Sequence, residues 1–138
     1  MSLFGVFDVA GSAMSAQSVR LNVTSSNLAN AETVSSSVDR TYRARHPIFA
    51  AKLNAFEDNP SLIGVTVKGI IESKAELRMR HQPEHPLANE DGYIFLPNVN
   101  AIEEMANMIS ASRSFQNNVQ IMNSTKRLLQ TTLRMSEN

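Results

Sequence analysis

From Asn98 to Asn138 the chain has neither proline nor glycine. A stretch this long without the two residues that break or loosen helices, with apolar side chains at three- and four-residue steps, predicts one continuous helix. The steps run through Ile102, Met105, Ile109, Ser112, Phe115, Val119, Met122, Lys126, Leu129 and Leu133. Met108, Phe115, Met122 and Leu129 repeat at seven-residue spacing and widen the stripe. Pro97 precedes the start, and Asn100 followed by Glu103 resembles a capping box with asparagine as the cap. Glu103 and Glu104 in the first turn, and Lys126, Arg127 and Arg134 near the end, suit the helix dipole. A helix over about 100–135 spans on the order of 50 Å. That is too long to wrap within a domain of 138 residues, so part of the stripe needs another partner.

The opposite end shows the same period on weaker material. Leu3, Phe7, Ala10, Met14, Gln17, Leu21, Thr24, Leu28 and Ala31 alternate at four and three, a coiled-coil-like seam. The remaining positions are mostly Ser, Thr, Asn and Ala. Ser, Thr and Asn side chains compete for backbone hydrogen bonds, so this helix is marginal on its own in water. Small uncharged groups suit close packing on neighbours rather than a freely solvated face.

Between the two flanks lies a turn-rich segment holding all five prolines. Tyr42-Arg43-Ala44-Arg45 alternates weakly until Pro47 interrupts it, and Asn59-Pro60 is a turn signal. Gly64–Ile71 reads as a strand, Glu76–Arg80 as another, and Asp91-Gly92 as a turn before the short strand Tyr93–Leu96. The fold class is therefore mainly α with a small β insert of three or four strands. Its three parts are an N-terminal helix over 1–34, a β-rich insert over 35–97 and a C-terminal helix over 98–138. One intramolecular helical hairpin and packing between chains both satisfy the periodicity. The length and low charge of the flanks favour assembly.

The chain carries 13 basic and 13 acidic residues, and this neutrality argues against a nucleic-acid partner held by a basic field. Sixteen of these charges fall in 35–97 and only three in 1–34. With no cysteine there is no disulfide framework, thiolate zinc site or cysteine nucleophile. No apolar run is long enough for membrane insertion, and the start lacks the features of a cleavable secretory signal. His81, Glu84 and His85 are interleaved with Pro83 and Pro86, so they read as a turn rather than a metal site. No serine sits in a Gly-x-Ser-x-Gly turn and there is no glycine-rich phosphate loop. No catalytic residue, cofactor or metal is expected. Arg40, Arg43, Arg45 and His46 form a basic patch that reads first as a solvated strand face. Asn22-Val23-Thr24 and Asn123-Ser124-Thr125 match a glycosylation tripeptide, but both fall inside expected helices.

Two segments are more specific. Ser25-Ser26-Asn27-Leu28-Ala29-Asn30-Ala31-Glu32-Thr33 resembles the signature of the bacterial flagellar rod and hook (axial) protein family. Pro97-Asn98-Val99-Asn100, with Glu104-Met105 and Ser110–Asn118, is similar to the C-terminal half of that family. Phe7–Ala13, His85–Asn89, Asp91-Gly92-Tyr93 and the short insert look like its proximal-rod member. The resemblance implies a structural subunit of the proximal rod of the flagellar basal body. Such a subunit is exported by the flagellar type III apparatus and polymerises through its terminal helices into a hollow driveshaft spanning the periplasm. Its partners would be copies of itself, other rod proteins and the export apparatus, with the basal-body ring as a further candidate. Family members typically have terminal segments that are disordered in the free subunit. The alternatives are a neighbouring rod subunit of the same family or a small soluble coiled-coil interaction module. The expected assembly residues are Phe7, Met14, Leu21, Asn27, Leu28 and Asn30 on the first flank. On the second they are Asn98, Asn100, Met105, Ile109, Phe115, Val119, Met122, Leu129 and Leu133. Within the motif, Leu28 would pack while Asn27 and Asn30 would satisfy backbone groups at the helix end.

Overall fold

A computed structural model describes residues 3–52 and 63–136. Its element order is α1 (Leu3–Asn30), a 3-10 turn (Val38–Arg40), β1 (Arg45–Lys52), β2 (Gly64–Glu72), β3 (Arg78–His81), β4 (Tyr93–Leu96) and α2 (Ala101–Ser136). The expected turn at Asn59-Pro60 lies outside the described residues.

The two helices pack antiparallel in one chain. The end of α1 lies beside the start of α2, because the Arg78 guanidinium donates to both Ala31 O (3.1 Å) and Pro97 O (3.0 Å). Further along, Arg20 Nη2 donates to Asn107 Oδ1 at 2.8 Å. The intramolecular hairpin that the periodicity allowed is thus formed. Its seam is built from small side chains: Ala10 and Thr24 on α1, and Ala111 and Thr125 on α2, are all buried, as is Ala31 just past the end of α1. Small residues let helical backbones approach closely, and this is how a Ser- and Ala-rich α1 finds its partner surface. α2 opens as expected, with Asn100 Oδ1 accepting from the Ile102 amide at 3.1 Å. The capping box is only half realised, since among the described hydrogen bonds the Glu103 side chain makes no return bond.

The middle segment is not one sheet. β1 pairs antiparallel with β2, and β3 pairs antiparallel with β4, as two separate two-stranded sheets. β1 passes straight through Pro47, which pairs across the ladder with Ile70. Pro47 was expected to interrupt extended structure. In a two-stranded sheet every strand is an edge, so a residue without an N–H can sit in it without breaking a ladder on both sides. The register slips between Ile48 (opposite Gly69) and Phe49 (opposite Val67), leaving Lys68 as the extra residue of a bulge. The β1–β2 hairpin lies along α1, where the Val65 amide donates to Ser12 Oγ at 3.0 Å.

The second sheet closes the helix junction. Phe95 exchanges both backbone hydrogen bonds with Ser35. Ile94 and Leu96 are buried, and Ala31, Ala44 and Val99 form a small apolar cluster with Tyr42 packed against it. Gly92 before β4 has φ +77°, a left-handed conformation that favours glycine, and it makes the expected turn.

Candidate assembly interface

On α2 the buried side chains Glu104, Ala111 and Thr125 and the half-buried Asn118 repeat every seven residues. Met108, Phe115, Met122 and Leu129, also half-buried, form the parallel line beside them. Together these two lines face α1. The stripe drawn from the sequence, starting at Ile102, Met105 and Ile109, does not stay on that face. Those three residues are 80%, 53% and 53% exposed and lie away from α1. An apolar pattern repeating in fewer than 3.6 residues drifts around a straight helix by about 20° per heptad. The stripe therefore starts on the outer face and reaches the α1 face only by Phe115 and Met122. It is two surfaces rather than one.

The second surface is made by unequal helix lengths. From the Arg20–Asn107 bond, α1 runs back 17 residues to Leu3, whereas α2 runs on 29 residues to Ser136. α2 thus outreaches the described part of α1 by about 12 residues, on the order of 18 Å. Leu133 continues the line of Met122 and Leu129, yet it is 57% exposed because α1 no longer covers it. Leu128 and Met135 are also exposed on this part of α2, on another face. On α1, Phe4 is exposed, and Phe7, Met14, Leu21 and Leu28 are half-buried.

The four asparagines expected to take part do different things. Asn30 Nδ2 donates to Ser26 O at 2.8 Å, a helix-end carbonyl, as its expected role requires. Asn100 caps α2. Asn27 is wholly buried and its amide bonds into the insert instead of the helix end: Oδ1 accepts from the Arg45 amide (2.9 Å) and the Tyr42 hydroxyl (2.8 Å), and Nδ2 donates to Arg45 O (2.8 Å). Asn98 Oδ1 accepts from the Ala44 amide at 2.8 Å. Tyr42, Arg45 and Arg78 carry no sequence signal for these roles, since their partners lie far along the chain.

The basic patch is divided among internal contacts. Arg43 Nη1 donates to Ser73 O and Ala75 O. Arg45 pairs with Glu72 at 3.1 Å and its guanidinium lies 5.5 Å from the centre of the Tyr42 ring. Arg40 and His46 are exposed. Of the histidines by the prolines, His81 meets Tyr93 edge-on at 4.9 Å, and His85 Nδ1 accepts from the Leu87 amide, which makes the segment a hydrogen-bonded turn. Among the described residues no group of three metal-ligating side chains comes together, and no helix is long and apolar enough to cross a membrane.

Burial pushes the Tyr42 phenol above its ordinary value of 10.0; Arg45 opposes the shift, while the Glu104 and Glu72 carboxylates add to it. A raised folded-state value means that the neutral phenol's contribution is complete below pH 10.0 and is lost as the pH climbs through that raised value. In a Tyr93→Phe background, phenolate absorbance of the folded chain is expected to develop above pH 10.0. Titration at or below the ordinary value would contradict the packing described around Tyr42.

Comparison with known proteins bears on both helices. Residues 7–34 match the family model described as "Flagella basal body rod protein". Residues 90–135 match "Flagellar basal body rod FlgEFG protein C-terminal". The chain is 46% identical over 137 residues to the flagellar basal-body rod protein FlgC of Yersinia enterocolitica, covering 99% of this chain and 100% of that one. It is 43% identical to the FlgC of Escherichia coli O6:H1 with the same coverage. It is 35% identical to that of Borreliella burgdorferi, over 96% of this chain and 97% of the relative. The first family model covers most of α1, and the second covers β4 and nearly all of α2.

Proposed function

Since this chain belongs to the FlgC family of flagellar basal-body rod proteins, structural subunits of the rod, we propose that it enters the proximal rod through the apolar helix faces its own fold leaves open. The observation that carries this reading is the α2 seam line emerging from under α1 at Leu133. The assembly residues left open are Met105, Ile109 and Leu133 on α2. Phe7, Met14, Leu21 and Leu28 on α1, and Phe115, Val119, Met122 and Leu129 on α2, are half-buried in the single chain and offer neighbours only the part of each side chain that the helix pair leaves uncovered. Asn30 and Asn100 shape the helix ends that present them.

The energetics favour ordering on assembly. Fixing a backbone residue costs roughly 1–2 kcal/mol, and burying a large apolar side chain returns about 1.5–3 kcal/mol. α1 offers few large side chains along 28 residues, so its first turns, away from Arg78 and the insert, take their order from neighbours. Those neighbours are copies of the chain and other rod proteins; the basal-body ring is the further surface within reach. A flank with three charges in 34 residues and little intrinsic helix stability also suits passage, unfolded, through the type III export channel. The absence of cysteine fits delivery into the oxidising periplasm, where stray disulfides would be a hazard.

Hydrogen exchange on the purified monomer and on isolated rods tests this. In the monomer, the first turns of α1 and α2 beyond Thr125 should exchange fast; in rods both should be protected. Full protection of both segments in a verified monomer would count against ordering on assembly.

A further inference from the structure

Ala44 and Arg45 lead the chain into β1, and their backbone groups are met by side chains from both terminal flanks. Ala44 O accepts from the Ser73 amide at 2.7 Å, which continues the ladder between β1 and β2. Because backbone groups alternate along an extended strand, the N–H and C=O of Arg45 point to the opposite edge. There Asn27, near the end of α1, takes both: its Oδ1 accepts from Arg45 N at 2.9 Å and its Nδ2 donates to Arg45 O at 2.8 Å. On the ladder side Asn98, just before α2, accepts from Ala44 N at 2.8 Å and donates to Ala75 O at 2.9 Å. A primary amide carries a donor and an acceptor side by side, as a peptide group does. The base of β1 is thus flanked by two peptide-like groups, one from each helical flank.

We infer that Asn27 and Asn98 are positioning residues. Their amides stand in for a strand on either side of Ala44 and Arg45 and set the direction in which the β1–β2 hairpin leaves the helix pair. Neither amide then has to touch a neighbouring subunit. Tyr42 supports the joint from one side, its hydroxyl donating to Asn27 Oδ1 at 2.8 Å. The Arg45 guanidinium, facing the Tyr42 ring and Glu72, holds the same residue from its side-chain end. The hairpin lies along α1, but its directional bonds to that helix are few. Ile48, Ile70 and Ile71 are exposed, and beyond its base the Val65–Ser12 bond is its one described hydrogen bond to α1. The hydrogen bonds that fix its orientation are therefore concentrated at its base.

The test is made on the full, unassembled chain, so it does not depend on the rod reading. The protein has no native cysteine, and spin labels at Lys68→Cys on the hairpin and Arg113→Cys on α2 report the hairpin's orientation. The parent chain should give a single narrow distance distribution. Asn27→Asp keeps the size of the side chain but sets a carboxylate oxygen against Arg45 O. It should lose the narrow distribution and exchange the Arg45 amide about tenfold faster, with helix and strand content unchanged by circular dichroism. Tyr42→Phe, which leaves the pairing with Arg45 in place, should keep the distribution narrow. Three results would overturn the inference: a narrow distribution in Asn27→Asp, outright loss of the strand signal in that variant, or a parent distribution already as broad as the variant's.

Discussion

Replacing Leu129 and Leu133 together by aspartate is expected to abolish rod assembly, and with it motility, while the subunit keeps its fold. Leu133 is 57% exposed in the single chain and Leu129 half-buried. Leu129 lies in the last covered turn of the α1–α2 seam and Leu133 beyond it, so the isolated subunit should keep its fold with a small loss of stability. In the assembly the same two positions would be covered. Each leucine then contributes about 1.5–3 kcal/mol through burial, and each aspartate would instead have to lose its hydration, at several kcal/mol per ion. The penalty recurs in every subunit, so no partial assembly is expected. The measurement is swarming in soft agar, paired with a check that the variant is exported and that its isolated form melts close to the parent. A normally swarming double variant would remove the overhanging end of α2 from the interface.

Ala111→Leu is expected to do the reverse. Ala111 has no exposed surface, and it lies on the line of α2 that faces α1. Three added heavy atoms have nowhere to go without separating the helices, and overpacking of this kind costs about 1–3 kcal/mol. For a chain of this size that corresponds to a drop in melting temperature of roughly 5–10 °C. Thermal unfolding of the purified subunit measures it. If Ala111→Leu is as stable as the parent, α1 and α2 do not pack through this seam in the free chain. The two variants separate the inner face of α2 from its free end.

What could be read in advance follows from the range of the forces involved. α2 was legible almost to the residue because its determinants are local: no glycine or proline, a steady period and an asparagine cap. α1 was legible as a helix for the same reason. The side of α2 that meets α1 was not. A stripe with a period below 3.6 residues drifts, and only the partner's position decides where along the drift contact is made. Ile102, Met105 and Ile109 share their pattern with Phe115 and Met122 yet face the other way. In the insert, β2 and β4 announced themselves through β-branched and aromatic runs. The division into two sheets depends on which strands meet, which no local run encodes, and Pro47 misled because an edge tolerates what a central strand does not. The motif around Asn27 was legible as a signature, but its geometry was not. Its partners, Tyr42 and Arg45, lie 15 and 18 residues downstream and carry no mark of their role.

The mismatch in length between the two helices gives the molecule a head and a tail. At one end the helices are closed by Arg78, the β3–β4 sheet and the buried Pro97; at the other a single helix projects without company. The two ends differ in shape, so a contact that joins one to the other has no twofold axis. Contact between them is of the kind that repeats in one direction and need not close on itself. A polymer joined through these ends would have a built-in polarity: each added subunit would present the same end outward, and insertion upside down would leave an apolar helix facing a capped, polar junction. Growth in one direction would then be a property of the subunit's own shape.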